Sequence, residues 1–120
     1  MTTSYKLTKA ESKLADIIWA NSPMPSPGLV KIAETELGWK RTTTYTILKK
    51  LCEKGVAENE KATVSAMITK DEFFAGQSRS YVEDTFGGSL PMFLTSFIGG
   101  KKLTKKQAEE IRQLIDECEE

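Results

Sequence analysis

The sequence predicts a mainly α-helical fold with one small β-hairpin. It divides into a segment of three helices and the hairpin over residues 1–70 and an arm of three helices over residues 71–120. Three observations carry this reading. Apolar residues recur at helical spacing in six stretches, separated by Gly, Pro and polar breaks. One stretch, Val56 to Ile68, changes to a period of two. Charge also divides the chain. Residues 1–70 hold 11 Lys and Arg against 7 Asp and Glu, and residues 71–120 hold 6 against 10, which a formal net charge of zero conceals.

In chain order, Thr8-Lys9-Ala10-Glu11 is a capping box, in which the Thr hydroxyl and the Glu carboxylate each accept an orphan N–H. Behind it Leu14, Ala15, Ile17 and Ile18 mark a first helix over residues 9–20, stopped at Asn21-Ser22-Pro23 and Pro25. Ser26-Pro27 reads as a cap followed by Pro at the first helical position. Leu29, Ile32, Ala33 and Leu37 form the buried stripe of the second helix, and Gly38 closes it in the left-handed region. The third helix, residues 41–54, buries Ile47, Leu48 and Leu51 with Thr44 one turn earlier, and ends at Gly55. In the hairpin, Val64, Ala66 and Ile68 alternate with Thr63, Ser65 and Met67, and Glu58 to Ala62 supplies a polar turn.

The arm opens with a second capping box, Thr69 to Glu72, with Ile68 and Phe73 placed as a hydrophobic staple. Its first helix runs to Phe86 and stops at Gly87-Gly88. The next carries Leu90, Phe93, Leu94, Phe97 and Ile98, the spacing of one buried face. Phe97 lies on that face, where core packing is its simplest role. Gly99-Gly100 ends the helix, and Thr104 to Gln107 opens a last one with a seam of Ala108, Ile111, Ile115 and Cys118 flanked by Leu114.

Composition excludes several functions. There is no histidine, and Cys52 and Cys118 stand far apart, so no metal site and no cofactor is expected. Each cysteine occupies an apolar helical position and reads as a packed thiol. Without His, a Cys pair, a glycine-rich phosphate loop or an isolated carboxylate pair, the chain does not read as an enzyme. No apolar run approaches the roughly 20 residues a membrane span needs, and Met1 to Lys6 is polar without an export-signal core. A cytoplasmic location without membrane insertion is expected.

Three helices followed by a hairpin is the order of a winged helix-turn-helix. In that fold the third helix lies in the DNA major groove and the hairpin, the wing, touches the backbone. The outer face of the third helix suits that use. Residues 42–46 hold four threonines and a tyrosine, a choice that costs helix propensity. No carboxylate follows until Glu53. Thr43, Tyr45 and Thr46 are candidate base readers, with Thr42 on the same face. Arg41, Lys49, Lys50 and the wing's Lys61 are candidate phosphate contacts. The alternative is a winged helix that binds another protein. It would need exposed apolar anchors on this helix, and only Tyr45 qualifies. The arm offers Phe73, Phe74, Tyr81, Val82, Phe86, Leu90, Phe93, Leu94, Phe97, Ile111, Leu114 and Ile115, more apolar surface than three short helices can hide. A two-fold homodimer would cover it.

The ordered set Leu7-Thr8-x-Ala10-Glu11, Ile18-Trp19, Gly38-Trp39, Thr43-x-x-Thr46-x-Leu48-x-x-Leu51-x-x-Lys54-Gly55, Phe86-Gly87-Gly88-Ser89 and Leu103-Thr104 resembles the penicillinase repressor (BlaI/MecI) family over nearly the whole chain. The resemblance implies a dimeric winged-helix repressor that binds palindromic operators of antibiotic-resistance or related stress genes. It also implies release through a membrane sensor-protease that triggers cleavage of the repressor. Relatives are cut at an Asn-Phe bond in the dimerisation arm, and the matching candidate cleavage bond here is Ser96-Phe97. Three departures are visible. Lys40-Arg41 replaces a Ser-Pro pair ahead of the third helix, Tyr45 replaces a common basic residue, and the paired CxC motif of copper-responsive relatives is absent.

Overall fold

The computed structural model describes residues 3–120. Met1 and Thr2, the beginning of the polar stretch and of the 1–70 segment noted above, lie outside the described residues. The chain divides into two compact units, the first ending at Ser80 and the second running Tyr81–Glu120.

The first unit begins with α1 (Lys9–Asn21), β1 (Met24–Pro25), α2 (Ser26–Leu37) and α3 (Arg41–Glu53). The hairpin β2 (Ala57–Glu60) and β3 (Thr63–Ala66) follows, and α4 (Lys70–Phe86) begins in this unit. Local chemistry accounts for most boundaries. The Thr8 hydroxyl accepts the Glu11 N–H at 3.2 Å, and the Glu11 carboxylate accepts the Thr8 N–H at 2.8 Å. The same reciprocal pair recurs between Thr69 and Glu72, both bonds 3.0 Å long. Gly38, at φ 68°, closes α2 in the left-handed region that other residues enter only at a cost.

The sheet departs from the expected two-stranded hairpin. It has three antiparallel strands in the order β1-β3-β2, with Met24 opposite Val64 and Pro25 opposite Thr63. A Met-Pro dipeptide carries no strand periodicity, and proline is admissible there because β1 is an edge. Nor is Glu58 to Ala62 the turn. Glu58, Asn59 and Glu60 pair with Ser65, Val64 and Thr63 inside the ladder, their side chains exposed. The turn is the two residues Lys61 and Ala62, both at positive φ (51° and 62°). That handedness matches the strand twist of a tight hairpin.

One core joins these elements. Leu14 and Ile18 of α1, Leu29 of α2, Leu48 and Leu51 of α3, then Val56 and Val64, are all but inaccessible to solvent. Each side chain contributes about 1.5–3 kcal/mol by burial. Phe73 of α4 belongs to this core at 2% exposure, with Tyr5 and Trp19 ring centroids 5.6 and 5.5 Å away. It is therefore unavailable to a partner, contrary to its expected place among the dimer-forming residues. The Trp19 and Tyr5 rings close over it.

In the second unit the end of α4 is followed by α5 (Leu90–Ile98) and α6 (Lys105–Cys118). The Ser89 hydroxyl caps α5, and Thr104 with Gln107 forms a capping box on α6. Phe93 sits at the centre of an aromatic row, its ring centroid 6.2 Å from Tyr81, 5.7 Å from Phe86 and 5.8 Å from Phe97. No residue of α5 or α6 is fully buried. Phe97 is 74% exposed, so it touches Phe93 without occupying a core. Cys118, expected as a packed thiol, is exposed as well, because nothing in this unit lies over the end of α6. Among the described residues, no helix is long and apolar enough to cross a membrane.

Candidate nucleic-acid interface

The outer face of α3 follows from which of its residues the core claims. Thr44 is completely buried and satisfies its hydroxyl by donating to the Lys40 carbonyl at 3.3 Å. With Leu48 and Leu51 beneath it, the opposite side must carry Thr42, Thr43, Thr46, Lys49 and Lys50, and all five are exposed. Spacings of three, four and seven gather them into one stripe of the helix. The Thr46 hydroxyl donates to the Thr42 carbonyl at 2.9 Å. It thus presents its methyl group and its oxygen lone pairs outward. Arg41 opens the helix at N1. The preceding Lys40 makes no side-chain cap bond, the local consequence of having no Ser-Pro pair there.

Tyr45 occupies a different position from the other candidate readers. It is half-buried, and its hydroxyl donates to the Ser26 hydroxyl oxygen at 3.2 Å. The Arg41 guanidinium lies over its ring, 5.5 Å from the centroid, a cation–π contact. Ser26 is 4% exposed and is the first residue of α2 rather than its cap. Its N–H donates to the Ala62 carbonyl at 2.8 Å, in the turn of the wing. In the sequence Ser26 has the look of a cap, because Ser-Pro is a common helix start. Its bonds to Tyr45 and Ala62 leave no local signal.

Lys61 stands exposed at the wing turn, on a different element from the α3 stripe. Its neighbours on β2, Glu58 and Glu60, are exposed carboxylates, so the wing carries its positive charge at the tip alone.

At the C-terminal end of α3, Glu11 is 2% exposed, and its carboxylate accepts from Lys54 Nζ at 2.5 Å. Burial by itself would raise its pKa. The Lys54 hydrogen bond and charge, with the Thr8 N–H and hydroxyl, outweigh that and hold it below the ordinary value. Lys54 also donates to the Lys6 carbonyl at 2.7 Å, so it ties the end of α3 to the N-terminal strap. Burial pushes the Cys52 thiol up, and the Glu58 and Glu53 charges add to this against the Asn59 N–H, so the thiol stays neutral.

Three helices, a hairpin whose turn is anchored to the second helix, and a carboxylate-free outer face on the third define a winged-helix protein of the DNA-binding type. The chain belongs to the penicillinase repressor family, whose sequence model matches residues 7–117. It is 21% identical to the penicillinase repressor of Bacillus licheniformis over 116 residues, covering 93% of this chain and 91% of that protein. It is 19% identical to the penicillinase repressor of Staphylococcus aureus, covering 93% and 92%. Membership places the chain among DNA-binding transcriptional repressors, a regulatory family rather than an enzymatic one.

Proposed function

We infer that the protein is a cytoplasmic homodimeric repressor that binds a palindromic operator and silences β-lactamase-type resistance genes or related stress genes. The observation that carries this is the α3 stripe, with Thr42, Thr43, Thr46, Lys49 and Lys50 exposed together and no carboxylate among them. Arg41, Lys49, Lys50 and Lys61 hold phosphates, while Thr43 and Thr46 meet base edges. Residues 1–70 serve as the reader and residues 71–120 as the dimerisation arm. Exposed Leu90, Phe97, Leu114 and Ile115 support the second role, because an arm without a buried residue on α5 or α6 gains its core from a second copy. A dimer sets two copies of α3 about one DNA turn, roughly 34–36 Å, apart.

Repression ends by cleavage at Ser96-Phe97, triggered through a membrane sensor-protease. Support for this reading is the exposure of Phe97 one residue before the Ile98 end of α5.

The test of the function is to select duplexes from a random library with the full-length chain and titrate the winners by fluorescence anisotropy. Palindromic winners, and loss of their preference when Thr43 and Thr46 are both replaced by Ala, are the expected results. A doubly substituted chain with unchanged preference excludes α3 as the reader. Cleavage is read separately, from the mass of the repressor in cells exposed to β-lactams. Derepression with only full-length chain present excludes it.

A further inference from the structure

Tyr45 stands on the recognition helix, yet its hydroxyl is spent inside the domain. It donates to Ser26 Oγ at 3.2 Å, and the Ser26 N–H donates to the Ala62 carbonyl at 2.8 Å. Two consecutive bonds through one buried serine therefore connect α3 to the turn that carries Lys61. The three residues come from three separate elements. The turn depends on such an anchor, because Lys61 and Ala62 both hold positive φ without being glycine. Over the face of the ring lies the Arg41 guanidinium, 5.5 Å from the centroid.

We propose that Tyr45 is a positioning residue for DNA selectivity: through Ser26 it sets the spacing between the recognition helix and the wing, and it aims Arg41 across its ring. This deepens the proposed DNA-reader function and rests on it. The physical reason is geometric. Phosphate contacts from Lys61 and base contacts from α3 count together only where their separation matches one face of the duplex. A loosened wing still binds polyanions through its lysine, but it no longer favours the register in which both contacts form. The tyrosine hydroxyl thus acts on selectivity without touching a base.

The test uses the full-length chain with a duplex it selects from a random library and a scrambled duplex of equal length and composition. Tyr45→Phe and Ser26→Ala each remove one hydroxyl and little volume. Each is expected to weaken binding to the selected duplex about three- to tenfold, the range for one hydrogen bond, with binding to the scrambled duplex unchanged. The double variant is expected to be no weaker than either single one. Ser26→Thr keeps the hydroxyl and is expected to retain selectivity. Amide exchange at Ser26, which needs no DNA, is expected to quicken in Tyr45→Phe, because that amide reports the anchor to Ala62.

Single variants that match the parent on both duplexes and in Ser26 exchange overturn the proposal. So do losses that multiply in the double variant, since they would mean that Tyr45 contacts DNA by itself. A folded Ser26→Thr chain as unselective as Ser26→Ala overturns it too. A parent chain that selects no duplex at all overturns the reader assignment and this proposal together, an outcome distinct from the other three.

Discussion

Lys54 Nζ lies 2.5 Å from the carboxylate of Glu11, 43 residues earlier in the chain, and the carboxylate is almost fully buried while the ammonium keeps partial access to water. The contact closes the C-terminal end of α3 onto the capping box of α1. Glu11 thus serves two structures at once, its own helix start and the seat of α3.

That pairing makes stability depend on acid. The folded-state pKa of Glu11 is held below its ordinary value of 4.5. The stabilisation is complete above that value and is lost as pH falls through the depressed folded pKa. Thermal midpoints from pH 7 to pH 3 should fall at the acid end for the parent and fall less for Glu11→Gln. Lys54→Ala at pH 7 leaves a buried carboxylate without its cation and should cost about 3 kcal/mol. A parent and a Glu11→Gln chain with parallel pH profiles would exclude the linkage.

Phosphate contacts and base contacts separate by their response to salt. Lys49→Ala should weaken binding to every duplex and reduce the slope of log affinity against log salt by about 1. Thr43→Ala should leave that slope in place and change the order of preference among duplexes. Titrations at four salt concentrations distinguish the two. Equal behaviour of the two variants would remove the division of labour along α3.

The proposed dimer rests on α6 as well as on α5. Leu114 and Ile115 are 59% and 55% exposed and consecutive on α6. Leu114→Asp with Ile115→Asp should convert the full-length chain from dimer to monomer in sedimentation equilibrium. Operator affinity should then fall at least tenfold, on the order of what losing a linked half-site costs. A doubly substituted chain that still sediments as a dimer would move the interface off α6.

Gly76 gives a stability prediction with an unusual sign. Gly to Ala inside a helix ordinarily stabilises by about 1 kcal/mol. A Cβ at Gly76, within α4, would run into the ring of Tyr5. Gly76→Ala must displace that ring from Phe73 and should lower the denaturation midpoint. In a Tyr5→Ala background the same substitution should raise it. Chemical denaturation of the four proteins reads this directly, and a stabilising Gly76→Ala in the parent would show the ring to be free to move.

Several local signals were legible in the residues. The capping boxes at Thr8 and Thr69 form as read, since a hydroxyl and a carboxylate three positions apart need only one turn of backbone to meet, and Thr104, read as the opening of the last helix, forms one with Gln107. Gly38 ends α2 for an equally local reason. The exposed stripe of α3 was also legible, because Leu48 and Leu51 set its opposite face by helical period alone.

Tertiary structure decided what depends on residues distant in the chain. Met24-Pro25 is a strand only because β3 lies beside it, and two residues carry no period to detect. Phe73 and Phe97 are both aromatic residues on amphipathic helices, alike at the level of pattern. Tyr5 and Trp19 bury the first, and within its own unit nothing covers the second. Ser26 looks like a helix cap beside Pro27, yet it joins Tyr45 to Ala62, which lie 19 and 36 residues further along the chain. Spacing along the chain determines the helix that a residue enters and the face it shares. Which neighbour meets that face is settled only when the separate elements pack, since a hydrogen bond or a buried ring depends on atoms that sequence order does not bring together.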